Sequence, residues 1–151
     1  MTISRYDDEG GMGRSDHFRD ARAAQARVLL EDYVELIADL ARPTDTLDDS
    51  GSVGPSRLAR HLGVSHATAI KCIGRLCREG LAETQPYRGV ILTEAGQALA
   101  ATVRRRHQIV LDLLVTLGVP ADAAQSDAEG IEHHVSSATL DAFERFLKNR
   151  S

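Results

Sequence analysis

Residues 54–81 read GPSRLARHLGVSHATAIKCIGRLCREGL, and the fold turns on this stretch. Pro55 suits the first position of a helix, where a missing N–H costs nothing. Leu58, Ala59 and Leu62 then give that helix one short apolar face. Gly63 stops it. Ser65 can N-cap a second helix that turns Ala69, Ile70, Ile73 and Leu76 to a core, and Gly80 ends it. Ala59 is small where two such helices must cross, Gly63 lets the chain turn, and Val64 and Ile73 fill the angle between them. The next stretch, LAETQPYRGVILTEAG, reads as a β-hairpin with strands near 81–84 and 90–93 and a turn at 86–89. Two short helices, a tight turn and a hairpin describe a winged helix-turn-helix.

That geometry leaves His66, Ala67, Thr68, Lys71 and Arg75 on the outward face of the second helix. Such a face fits a major groove, where side chains distinguish all four base pairs. Arg88 at the hairpin tip is placed like a wing residue reaching for phosphate or a minor groove. Arg57, Arg60 and Arg78 are candidates for backbone contacts, which position without specifying. The expected DNA-contacting set is Arg57, Ser65, His66, Ala67, Thr68, Lys71, Arg75 and Arg88.

Charge supports this reading. The net charge of −4 hides an uneven distribution. Residues 1–53 carry 6 Lys+Arg against 12 Asp+Glu, residues 54–106 carry 9 against 3, and residues 107–151 carry 3 against 7. A basic middle between acidic flanks points to a polyanion in the centre and to a use for carboxylates on either side. A helix-turn-helix used only as a protein-interaction module is the competing reading, and the outward Lys71, Arg75 and Arg88 weigh against it.

Outside the module, residues 1–18 read as a mobile arm, with a helical pattern emerging from about Asp16 and running to Ala41. Leu30, Val34, Ile37 and Leu40 form its stripe. Pro43 and TDTLDDSGS make 42–53 a loop. Thr93 caps a helix from Glu94 to about Leu117, stopped by Gly118 and Pro120. Helices are expected over 121–134 and 137–149, the second carrying Leu140, Phe143 and Leu147. The chain of 151 residues is therefore expected to be mainly α: an N-terminal winged helix-turn-helix with a hairpin wing, over 19–98, and a C-terminal helical lobe, over 99–151.

Three of these segments share a chemistry. Asp32 and Glu35 stand at i and i+3 beside the apolar stripe of the first helix. In DAEGIEHH, Glu129, Glu132 and His133 stand at i, i+3 and i+4 on one face, and His107 follows the triple arginine 104–106. Four carboxylates and two imidazoles form a hard, oxygen-rich donor set that suits Mn²⁺ or Fe²⁺ better than a thiolate-rich structural zinc site. Gly130 inside that helix costs about 1 kcal/mol relative to Ala and asks for a reason. His134 points away from the face.

Several classes are excluded. No apolar run approaches the roughly 20 residues that cross a bilayer, so no membrane partner is expected. No secretory signal is read at the N-terminus. Cys72 and Cys77 make neither a CxxC pair nor a disulfide framework, which suggests a reduced cytoplasmic setting. Aromatics at 4% argue against a stacking surface for single strands. There is no HExxH, no phosphate-cradling glycine loop and no GxSxG, so no enzyme is expected.

The segments EDYVELI, LGVSHATAIKCIGRL, YRGVILTEAG, RRHQIV, LGV and DAEGIEHHVS, in this order, resemble the manganese transport regulator branch of the diphtheria toxin repressor family. The resemblance covers about residues 28–147. It implies a cytoplasmic homodimer that binds two metal ions per subunit, Mn²⁺ here with Fe²⁺ or other divalent ions possible, and then grips double-stranded operator DNA. The implied ligands are Asp32, Glu35, His107, Glu129, Glu132 and His133. Glu35 and Glu132 would bridge the ions, Asp32 and His107 would serve mainly one, and Glu129 and His133 mainly the other. The iron-sensing branch places Met where Asp32 stands and Cys where Glu129 stands. The chain is also expected to lack the SH3-like domain of that branch. The implied function is a manganese-responsive regulator repressing uptake genes. The alternatives are a winged-helix regulator sensing iron or a small organic ligand, and a metal-dependent hydrolase.

Overall fold

A computed structural model of the protein describes residues 14–42, 53–87 and 89–150. In chain order the elements are α1 (Arg14–Leu40), α2 (Pro55–Leu62), α3 (His66–Arg78), β1 (Ala82–Gln85), β2 (Gly89–Leu92), α4 (Glu94–Thr116), α5 (Ala121–Ile131) and α6 (Ser137–Lys148). A single 3₁₀ turn, Glu132–His134, separates α5 from α6. Mainly helical architecture with one hairpin is thus borne out.

The helix-turn-helix forms for the expected reasons. Pro55 sits in the first turn of α2, and Gly63 closes that helix in the left-handed region at φ +64°. The Val64 N–H then donates to the Ala59 carbonyl at 3.0 Å, tying the turn to the helix it leaves. The Ser65 Oγ accepts from the Thr68 N–H at 3.1 Å and caps α3. Leu58, Ala59, Ala69, Cys72, Ile73 and Leu76 are buried between the two helices and α1. Ile70 is not among them: it is 50% exposed. Ala69, Ile73 and Leu76 lie three and four apart on the inner face, whereas Ile70 is turned about 100° away from Ala69.

The wing is an antiparallel pair in the register Ala82↔Leu92, Glu83↔Ile91, Thr84↔Val90 and Gln85↔Gly89. Each strand therefore lies one residue from its expected place at both ends, β1 later and β2 earlier. Val53 lies at the end of the expected loop, yet it is fully buried and its carbonyl accepts from the Val90 N–H at 3.0 Å. Thr93 pins the wing to α4, since its hydroxyl donates to the Gly80 carbonyl at 2.6 Å and accepts from the Gly96 N–H at 3.2 Å. Gly96 is required here: a Cβ would lie 1.9 Å from the Leu81 carbonyl oxygen.

α1 begins at Arg14, so residues 14–18, expected in the arm, are helical. Residues 1–13 of that arm and most of the 42–53 loop lie outside the described residues, as does Arg88. Tyr33, Val34 and Ile37 are fully buried, and they seat α1 against α3, β2 and α4. α4 crosses the expected 98/99 boundary and packs on both α1 and the C-terminal helices, so it joins the two lobes. The helix expected over 121–134 ends at Ile131, and Glu132–His134 tighten into the 3₁₀ turn. α6 buries no residue, and Val115 and Leu117 at the end of α4, Ile131 at the end of α5 and Phe146 on α6 are exposed.

Candidate metal centre

The centre lies where α1, α4, α5 and the 3₁₀ turn meet. α1 supplies Asp32 and Glu35 from the border of its buried stripe, and α4 supplies His107 one residue after the buried Arg106. The C-terminal end of α5 supplies Glu129, and the tightened turn brings Glu132 and His133 inward. Asp32, Glu35, Glu129, Gly130 and His133 line one open pocket together with Asp39 and Leu62.

Glu132 is the hub. It is fully buried, and neither carboxylate oxygen has a hydrogen-bond partner. Its Oε1 lies 3.6 Å from His107 Nδ1 and 3.7 Å from His133 Nε2. His107 Nδ1 is 3.8 Å from Glu129 Oε1, and His133 Nε2 is 3.2 Å from Asp32 Oδ1. Ligand atoms of His107, Glu129 and Glu132 fall within 4.8 Å of one another. The distances therefore associate His107 with Glu129 and His133 with Asp32, around a shared Glu132. The resemblance implied the other pairing, Asp32 with His107 and Glu129 with His133. Glu35 is drawn in electrostatically, facing Glu129 and His107.

An orphaned buried carboxylate is costly, and its protonation follows. Burial, only partly offset by His133, pushes Glu132 up to about 7, with Glu35 and Glu129 adding to the rise. Burial likewise raises Asp32 and Glu35, and neighbouring carboxylates push both in the same direction. Acids that resist ionisation alone, facing two imidazoles, are the donor set a divalent cation satisfies. Both orphaned oxygens of Glu132 fit that role. Gly130 has open space where a Cβ would stand, so packing does not explain it.

Sequence reasoning missed Glu31, which is 2% exposed. Its signal was the one shared by Asp32 and Glu35, an acid beside an apolar stripe, but its partners lie far along the chain. Burial would raise Glu31, yet hydrogen bonds from His133, Arg106 and Arg27 outweigh it and hold the carboxyl below its usual range. Each member of the triple arginine is engaged in an ion pair. Arg104 pairs with Asp39, Arg105 with Glu144 at 2.5 Å and Arg106 with Glu31 at 2.5 Å. Arg104 and Arg106 tie α4 to α1, whereas Arg105 stays exposed in its pair with Glu144.

On the face expected to meet DNA, His66, Ala67, Thr68 and Lys71 are exposed on α3, with Arg75 and Arg57 half-buried. Ser65 is engaged as the cap. His66 Nδ1 lies 3.2 Å from the Ser56 hydroxyl, which orients the ring at the start of α3.

A winged helix-turn-helix joined through one long helix to a helical lobe, with a carboxylate–imidazole pocket at the junction, defines a metal-binding DNA-binding protein. Residues 30–90 match the N-terminal DNA binding domain of iron dependent repressors, and residues 93–151 match the metal binding and dimerisation domain of the same proteins. The chain belongs to the iron-dependent repressor family, in the manganese regulator branch that its relatives represent. It is 49% identical to the transcriptional regulator MntR of Escherichia coli O157:H7 over 131 residues, 87% of this chain and 81% of that one. It is 30% identical to the HTH-type transcriptional regulator MntR of Bacillus subtilis over 112 residues, 74% of this chain and 75% of that one. Among solved structures it resembles a manganese-dependent transcriptional repressor in complex with manganese, at 30% identity and a TM-score of 0.65. That match covers 78% of this chain and 51% of the other, so the chain spans about half the length of that structure. These relatives are named as transcriptional regulators.

Proposed function

We propose that the protein is a manganese-responsive transcriptional repressor acting on manganese uptake genes. The observation that carries this reading is Glu132, buried between two imidazoles with both oxygens unpartnered at the junction of the lobes. Asp32, Glu35, His107, Glu129, Glu132 and His133 would hold the metal. Two Mn²⁺ ions per subunit fit a hub carboxylate shared by two groups of donors, one around His107 and Glu129, the other around His133 and Asp32.

A bound cation supplies positive charge and Lewis acidity where four carboxylates otherwise face one another. The chain's part is to couple that place to the DNA surface. Asp32 and Glu35 ride on α1, whose buried face holds α3 and β2, so a constraint on these side chains is felt by the recognition helix. In a homodimer, two such helices must meet half-sites about one turn (~34 Å) apart. Narrowing the spread of that spacing raises affinity, and metal and DNA then tighten each other's binding, typically by about 1–3 kcal/mol. Residues 99–151 would form the dimer lobe. The exposed apolar side chains Val115, Leu117, Ile131 and Phe146 support that assignment, and Phe146 is 39% exposed. Residues 19–98 would carry the DNA contacts through Arg57, Ser65, His66, Ala67, Thr68, Lys71, Arg75 and Arg88. Two free cysteines suit the reducing cytoplasm in which a chromosomal operator is met.

The test is selection of binding sites from a random duplex library with Mn²⁺ present, followed by gel shifts with and without Mn²⁺. Metal-stimulated retardation is expected for the wild type and not for Glu132→Ala. Equal binding without metal in both proteins would overturn the reading.

A further inference from the structure

We propose that Glu31, clamped by Arg27 and Arg106, is a positioning residue that holds the proton of His133 on Nδ1 and turns Nε2 to the metal site. The inference rests on the metal-binding reading above and adds residues outside its ligand set.

Glu31 Oε2 lies 2.8 Å from His133 Nδ1 and 2.5 Å from a terminal nitrogen of Arg106. Its other oxygen, Oε1, accepts from Arg27 Nε at 3.1 Å. A guanidinium only donates, so both oxygens of Glu31 are committed as acceptors. The nitrogen that meets Oε2 must then carry a hydrogen, because two lone pairs at this distance would repel. In a neutral ring this leaves Nε2 as the lone-pair nitrogen, and Nε2 is the atom facing Asp32 and Glu132. Glu31 and Arg106 are buried at 2% and 9% exposure, so water competes poorly for these bonds. Carboxylates that accept from the remote nitrogen of a ligand histidine fix its tautomer and raise its basicity. Here the same carboxylate also fastens α1 to α4 through Arg106, so ring orientation and lobe contact share one bond network.

Glu31→Gln keeps the shape but removes the charge: its carbonyl oxygen still meets Arg106 and Nδ1 while its amide turns to Arg27, so the ring loses the anionic partner that raises the basicity of Nε2. Mn²⁺ affinity of the full-length protein, measured by calorimetry, is expected to fall about 10–100-fold. Asp112→Asn removes an exposed charge on α4 that is bonded to Gln108 outside the pocket, and a loss below about threefold is expected. Wild type loaded with Cd²⁺, a diamagnetic stand-in, gives a second readout that needs no variant to fold. Two-bond ¹H–¹⁵N spectra should show His133 protonated at Nδ1 and metal-bound at Nε2. Coordination through Nδ1, an unchanged Mn²⁺ affinity for Glu31→Gln, or an equal loss for Asp112→Asn would each overturn the proposal. Absence of Mn²⁺ binding by the wild type would instead overturn the reading beneath it.

Discussion

Glu132→Gln in the metal-free protein isolates the cost of burying the hub carboxylate. The folded protein holds its proton up to about pH 7, whereas the unfolded chain releases it near 4.5. Between these values the folded state binds more protons than the unfolded one, so stability falls as pH rises, and the loss is complete above about pH 7. Each pH unit of displacement corresponds to about 1.4 kcal/mol, so the penalty at pH 8 amounts to about 3 kcal/mol. Asp32 and Glu35, also raised, add a loss of the same sign. Glu31 is lowered, so its contribution is present above the unfolded carboxylate range and disappears only on acidification below it. Gln cannot ionise, so the difference between variant and wild type removes these shared terms. The assay is urea unfolding of both proteins in chelator from pH 5 to pH 8. Near pH 5 the two should differ little, and at pH 8 the variant should be the more stable by about 3 kcal/mol. Added Mn²⁺ should reverse the order, because the wild type gains binding energy that the variant lacks. A difference that stays constant across the pH range would refute the argument that burial of an unpartnered charge governs this site.

Asp32→Met should weaken the response to Mn²⁺ more than the response to Fe²⁺, since a soft neutral thioether replaces a hard anionic oxygen. Anaerobic titration of DNA binding with each ion checks this, and equal weakening would reduce Asp32 to generic charge. DNA binding should also depend steeply on salt: if a dimer neutralises on the order of 6–10 phosphates, log K falls with log salt at about −0.9 per contact. A flat response with Mn²⁺ binding intact would remove the DNA reading. Arg75→Ala should weaken binding to the selected duplex at least tenfold while leaving Mn²⁺ calorimetry unchanged, and a matching loss in both assays would misplace Arg75. Gly96→Ala should cost about 1–3 kcal/mol in urea unfolding, because its Cβ meets a backbone carbonyl that has little room to yield. A cost below 0.5 kcal/mol (an ordinary surface effect) would show that α4 and the wing slide past each other freely.

Local chemistry made much of this protein legible before any coordinates. The Pro55, Gly63, Ser65 and Thr93 signals act over one helical turn, and all four do in the structure what their chemistry predicts. Asp32 with Glu35, and Glu129 with Glu132 and His133, were legible because i,i+3 and i,i+4 spacing places side chains on one helix face, whereas His107 stands alone and joined the set through the family resemblance. Contacts across the chain were a different matter. No local pattern pairs Glu31 with Arg106, 75 residues away, or sets Arg104 against Asp39. The arginine run therefore read as surface charge, although Arg104 and Arg106 tie α4 to α1. Periodicity also could not choose between Ile70 and Cys72 for the core. That choice follows from the rotation of α3 against α1, and only packing sets that rotation. The break at Ile131 belongs to the same class. A continuous helix and a helix ending in a 3₁₀ turn satisfy the backbone almost equally, and the burial of Glu132 between α1 and α4 selects the second.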